Sequence, residues 1–150
     1  MSQYDQLHNA TLPLLEVDFT AEGESAGLDE PENVGEGFEL VGTLTQPDSK
    51  IHMTHVWITE LDDPQLWVKE HLHDYDEVLI WTGSDPENPR DLGAELYFEI
   101  EGERRTVTTS GSVYIPAGTR HCPLGFTKVR RPFTFSALSL TPNYKAKSAS

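Results

Sequence analysis

No segment of ten or more residues in this chain carries a helical period, and that absence limits the fold more than any other feature. The chain instead holds short runs rich in apolar and β-branched residues, each closed by turn-forming residues. Residues 38–44, 51–61, 66–73, 77–82, 94–100, 105–109 and 112–115 read as strands. One or two more cover 127–140, broken near Pro132, which has no amide proton to give a ladder. The clearest run is 94–100, where Ala94, Leu96, Phe98 and Ile100 alternate with Glu95, Tyr97 and Glu99. Residues 46–49, 62–64 and 101–103 supply turns, and 83–93 is a long polar loop. About eight short strands in this arrangement predict an all-β sandwich or jelly-roll barrel with few or no helices.

A chain of 150 residues suits one domain with a real core, and a hydrophobic content of 37% makes it globular. The expected division is an arm over 1–36, a β-domain over 37–142 and a tail over 143–150. The arm would hold a weak strand over 12–19 and an acidic loop from 20 onward. Inside that loop, Gly23, Ser25 and Gly27 match the Gly-x-Ser-x-Gly pattern of hydrolases. The strand before and helix after that the pattern requires are missing, so it is set aside.

The chain has no apolar run of membrane-spanning length and no basic-then-apolar N-terminus, so neither a membrane span nor a signal peptide is expected. Cys122 is the single cysteine, which suits a reducing cytoplasm. A net charge of −14 argues against nucleic acid as a partner. The charge is also divided. All 25 acidic residues lie within 1–103, and 104–150 holds basic residues only. Either acidic and basic strands pair side by side, or a basic patch awaits an anionic substrate.

Chemistry concentrates at His71, His73 and Glu77. Side chains two apart on a strand share a face, so the two imidazoles point the same way, and a short irregular step over 74–76 can return Glu77 to them. Two imidazoles and a carboxylate are three metal ligands, and His121, just after a Pro116-x-Gly118 turn, is the candidate fourth.

These residues resemble the two motifs of the cupins. The first is Gly, then His-x-His, then Glu, then Gly; the second is Gly, then Pro-x-Gly-x-x-His, with an Asn after that His. The resemblance implies a double-stranded β-helix, the cupin jelly-roll barrel, with His71, His73, Glu77 and His121 as metal ligands. Gly83, Gly111, Pro116 and Gly118 match the turn positions. Gln65 stands where the first motif has a glycine, and Gly125 where the second has an asparagine. The implied cofactor is one divalent transition metal per chain, and Fe, Mn, Ni, Cu, Co and Zn all suit the ligands. The resemblance further implies a metal-dependent enzyme and a homodimer.

Other residues complete the expected site. His55 shares strand parity with Met53 and Trp57; if that parity faces inward, His55 is either a general base or a core histidine, and Trp57 lines the pocket. His52, of opposite parity, is the weaker candidate. Leu79 and Trp81 share parity with Glu77 and are expected to wall the cavity. Tyr75 either donates a proton to substrate or only packs. Cys122 points away from the face that His121 uses and is expected to be inert. Arg130 and Arg131 could meet a carboxylate, although pairing with the acidic half is simpler. The expected function is a dioxygenase-like oxidation of a small chelating carboxylic or dicarbonyl compound. A lyase, decarboxylase or isomerase, or a cupin that only binds a small ligand, are the alternatives.

Overall fold

The computed structural model describes residues 4–15, 31–142 and 147–148. Half of the weak strand over 12–19, the acidic loop as far as residue 30, the Gly23–Gly27 pattern and much of the tail fall outside these residues. After a 3₁₀ turn at Asp5–Leu7 come β1 (Phe38–Val41), β2 (His52–Ile58), β3 (Gln65–Val68), β4 (His71–Leu72), β5 (Glu77–Gly83) and β6 (Asp91–Ile100). They are followed by β7 (Glu103–Thr109), β8 (Gly111–Ile115), β9 (His121–Val129), β10 (Phe133–Ser139) and β11 (Lys147–Ser148).

The strands form two antiparallel sheets, one in the order β1-β2-β10-β5-β8 and the other in the order β11-β4-β9-β6-β7, with β3 also paired to β9. This is the expected all-β jelly-roll barrel. The break near Pro132 is real: β9 ends at Val129 and β10 starts at Phe133. The strand expected over 66–73 is two strands, β3 and β4, separated at Lys69 and Glu70. Of the weak strand over 12–19, the described part makes a single bridge, Leu14 to Phe38.

Register decides which face each strand buries. β10 lies between β2 and β5, with Phe133 opposite Ile58 and Gly83, and Phe135 opposite Val56 and Trp81. Directly opposed residues share a face, so Val56, Ile58, Trp81, Phe133 and Phe135 all enter the core. Leu96, Leu124 and Phe126 meet them from the other sheet. Trp67 stacks on Phe126 at 5.8 Å between ring centroids and meets Phe135 edge-on at 5.2 Å. Each large apolar side chain enclosed this way stabilises the fold by about 1.5–3 kcal/mol.

The same register corrects the reading of β2. Its inward parity is His52, Thr54, Val56 and Ile58. His55 and Trp57 lie on the outer face, where Trp57 is 44% exposed and the His55 Nδ1 sits 3.2 Å from Ser136 Oγ. Acidic and basic residues pair across the sheets, as in Glu99 with Arg104 at 2.8 Å and Asp91 with Arg131 at 3.1 Å. Among the described residues no helix is long and apolar enough to cross a membrane.

Candidate metal centre

The site forms where the mouths of the two sheets meet. His71 opens β4 and His121 opens β9, and the two are direct partners across the ladder. His73 follows β4 by one residue, and Glu77 opens β5 in the facing sheet. All four are 1% exposed. One ring nitrogen from each histidine lies within 4.8 Å of the other two. Glu77 closes the group, with Oε2 at 3.5 Å from His73 Nε2 and Oε1 at 3.7 Å from His121 Nε2.

The backbone aims the rings. His71 Nδ1 contacts the Lys69 carbonyl at 2.8 Å, His73 Nδ1 the Tyr75 carbonyl at 3.2 Å and His121 Nδ1 the Thr119 carbonyl at 2.9 Å. A carbonyl only accepts, so each Nδ1 carries the proton and each Nε2 keeps a lone pair. Three lone pairs and a carboxylate then converge in a site closed to water. His121 Nε2 is buried with no hydrogen-bond partner, which is the state of a nitrogen that needs a cation. Burial pushes the His121 pKa down to about 4, and the His71 and His73 rings push the same way. The Thr119 carbonyl and the Glu77 carboxylate oppose that shift without cancelling it. His121 is therefore neutral, as a ligand must be, at any pH near 7. Imidazole and carboxylate donors in this set fit a divalent transition metal.

The loops that carry the ligands are fastened to one another. Gly118 takes φ +79°, a conformation open to glycine, and its N–H donates to the His73 carbonyl at 2.8 Å. The Asp76 carboxylate accepts the Ala117 N–H at 2.8 Å and the Tyr114 hydroxyl. Those two bonds hold the Asp76 carboxyl below its usual range, and the same contact raises Tyr114. The Asp76 carbonyl also accepts the Leu140 N–H at 2.9 Å. The step between His73 and Glu77 is thus tied to the turn that delivers His121.

Tyr75 is buried, with its ring stacked on His73 at 4.2 Å and 5°. Leu79 and Trp81 face inward from β5, at 6% and 3% exposure. His55 and Trp57, on the outer face of β2, are not brought to the centre, and Cys122 is buried beside it. One feature escaped the sequence and another was ranked too low. Ser139 Oγ donates to Glu77 Oε2 at 3.3 Å from the end of β10. His52, the weaker candidate by parity, is the inward histidine of β2 and pairs with buried Glu39 at 3.5 Å. No local signal marks Ser139, but the two histidines of β2 carry one, since opposite parities guarantee that one of them faces inward.

No protein-family model matches the sequence, and no curated protein matches it. Solved structures do. The polyketide cyclase RemF from Streptomyces resistomycificus matches with a TM-score of 0.53 at 13% identity, over 95% of this chain and 83% of that one. A recombinant oxalate oxidase in complex with glycolate matches with a TM-score of 0.52 at 15% identity, over 89% of this chain and 62% of that one. The DMSP lyases RdDddP and RnDddQII match with a TM-score of 0.51 at 15% identity, over 85% of this chain and 58% of the other. The chain therefore spans less than two thirds of the oxidase and lyase chains. At such identities the likeness is one of fold. Strand order and structural neighbours agree on that fold, and the chain is an all-β jelly-roll barrel.

Proposed function

We propose that this protein is a metal-dependent enzyme acting on a small organic molecule, with His71, His73, Glu77 and His121 holding one divalent transition metal. The observation that carries the reading is the convergence of three imidazole lone pairs, each set by an Nδ1 bond to a backbone carbonyl, on a carboxylate in a buried site. The bound ion would act as a Lewis acid and, if iron, manganese or copper, as an electron carrier. The chain's own part is to fix ligand direction, exclude water and leave coordination positions open to substrate.

The substrate in this reading is a small carboxylic or dicarbonyl compound, and the reaction is its oxidation by dioxygen. Three nitrogens and one carboxylate suit a redox-active ion, and the fold is shared with an oxalate oxidase solved with glycolate. A lyase is the second reading, favoured by the stacking of Tyr75 on His73, which sets a phenol beside the centre. There the Tyr75 hydroxyl would move a proton to or from the substrate. The protein is further proposed to be a homodimer that covers exposed Trp57 and Tyr114 on the outer face of the first sheet.

The test is metal content by mass spectrometry, on protein purified without added metal or a nickel column, beside a His71→Ala/His121→Ala double variant. A near-stoichiometric transition metal that the variant lacks supports the centre. No metal, and none taken up on reconstitution, overturns it. Turnover that consumes oxygen assigns the oxidation. Equal turnover without oxygen, abolished in Tyr75→Phe at unchanged metal content, assigns the lyase.

A further inference from the structure

The two sheets part at their β7 and β8 edges. In the register of β6 with β7, Arg105 stands opposite Phe98, Glu103 opposite Ile100 and Val107 opposite Leu96. Phe98 and Leu96 are core residues, so Glu103, Arg105 and Val107 lie on the inward face of β7. In the other sheet, Gly111 opposes Trp81 and Val113 opposes Leu79, which sets Gly111 and Val113 on the inward face of β8. Between them is a cleft of about 540 Å³, lined chiefly by Trp81, Phe98, Ile100, Arg105, Val107 and Val113. That volume falls in the range of small-molecule sites.

The cleft has a dry floor and a charged mouth. Trp81 and Phe98 are 3% and 5% exposed. The Trp81 Nε1–H is already committed to the Thr109 carbonyl at 2.9 Å, so the indole has no free donor for a ligand. A side chain at position 111 would begin 3.5 Å from that indole nitrogen, and glycine keeps that space part of the cleft. At the mouth, Arg105 contacts Glu103 at 3.6 Å, with both side chains exposed. Such a pair contributes about 0–1 kcal/mol, so it yields to a better acceptor. In a chain of net charge −14 there is no general attraction for anions, and Arg105 is the feature that would select one.

None of the four candidate ligands lines the cleft, yet its inner end approaches them. Ile100 is the ladder partner of His121, and Ile115, the partner of Glu77, lies next to Val113 along the same face of β8.

We infer that this cleft is the docking site for the substrate: an organic acid with an apolar middle, held by one carboxylate at Arg105, its oxygenated far end directed toward the histidine cluster. The inference rests on the reading of that cluster as the metal centre. The carboxylate displaces Glu103 from Arg105, the apolar middle lies against the partly buried Val107 and Val113, and Ile100 marks the inner end of the cleft beside His121.

The test uses 3-phenylpropionate and 3-phenylpropan-1-ol, which share an apolar body and differ in charge, against full-length protein followed by the NMR signal of the Trp81 indole N–H. The acid is expected to shift that signal and to bind about threefold more tightly than the alcohol, the scale of an exposed charge pair. Arg105→Ala should remove that advantage. Equal binding of acid and alcohol, equal binding by wild type and Arg105→Ala, or shifts that miss Trp81 would each overturn the inference. So would self-association in sedimentation runs that Arg105→Ala abolishes, because a second copy would then cover this edge. The two readings can fail separately. Acid binding that persists in a protein that takes up no metal leaves the cleft and removes the enzyme; a metal-loaded protein that ignores the acid does the reverse.

Discussion

Acidification should weaken the metal-free protein through His121, by an amount that the structure sets. Burial holds this imidazole at about 4 in the folded chain against an ordinary value of 6.5. Between those values the unfolded chain takes up a proton that the folded chain refuses, so falling pH favours unfolding. The contribution is intact above pH 6.5, is lost as pH falls toward 4, and is constant below that. One pKa unit corresponds to about 1.4 kcal/mol, which gives a loss of roughly 2 kcal/mol at pH 5 and roughly 3 kcal/mol at the plateau. A domain of this size has about 5–15 kcal/mol in total, so the change is large enough to measure. The assay is urea unfolding followed by tryptophan fluorescence, in chelator, at pH 7, 6 and 5. His121→Gln serves as the comparison because it keeps a polar side chain and cannot titrate in this range. The two proteins differ only at position 121, so the difference between the two curves reports on His121. With a urea slope of about 2 kcal/mol per molar, the wild-type midpoint should fall about 1 M further than that of the variant between pH 7 and pH 5. Parallel curves would show that His121 is not held neutral by burial, and the account of its lone pair would go with it.

Ser139→Ala should weaken metal binding by roughly tenfold, read by competition with a chromophoric chelator, because it removes the donor that holds Glu77 Oε2, and Ser139→Thr should restore it. Gly118→Ala should cost about 1–2 kcal/mol in urea unfolding, since the added carbon meets nothing within 4 Å and the whole penalty lies in the positive φ. Phe126→Ala should cost about 3–5 kcal/mol in the same assay, since it empties a fully buried position between Trp67 and Phe133.

What could be read in the sequence was whatever residue type and short-range spacing carry. His71, His73 and Glu77 lie within seven residues of chain, and Pro116 and Gly118 announce the bend before His121, so the candidate cluster was visible although His73 lies one residue past the end of β4. The strand periodicity and the break at Pro132 were visible for the same reason, because pleat and missing donor are local properties. The face of β2 was not. Met53 and Trp57 on one parity and Val56 and Ile58 on the other are equally apolar, so alternation offers no preference. The choice is made by Phe133 and Phe135 of β10, which fill the barrel opposite Ile58 and Val56 and turn His55 and Trp57 outward. Ser139 is an ordinary serine until its register with Glu77, 62 residues away, gives it a role. Arg105 is likewise one base among many until pairing with Phe98 puts it on the inward side of an edge strand. Ligands can be named from residue chemistry, but the groups that aim them, and those that would meet the substrate, are defined by which strand lies beside which. That is why the candidate metal centre came from motifs, and the cleft beside it only from the sheet register.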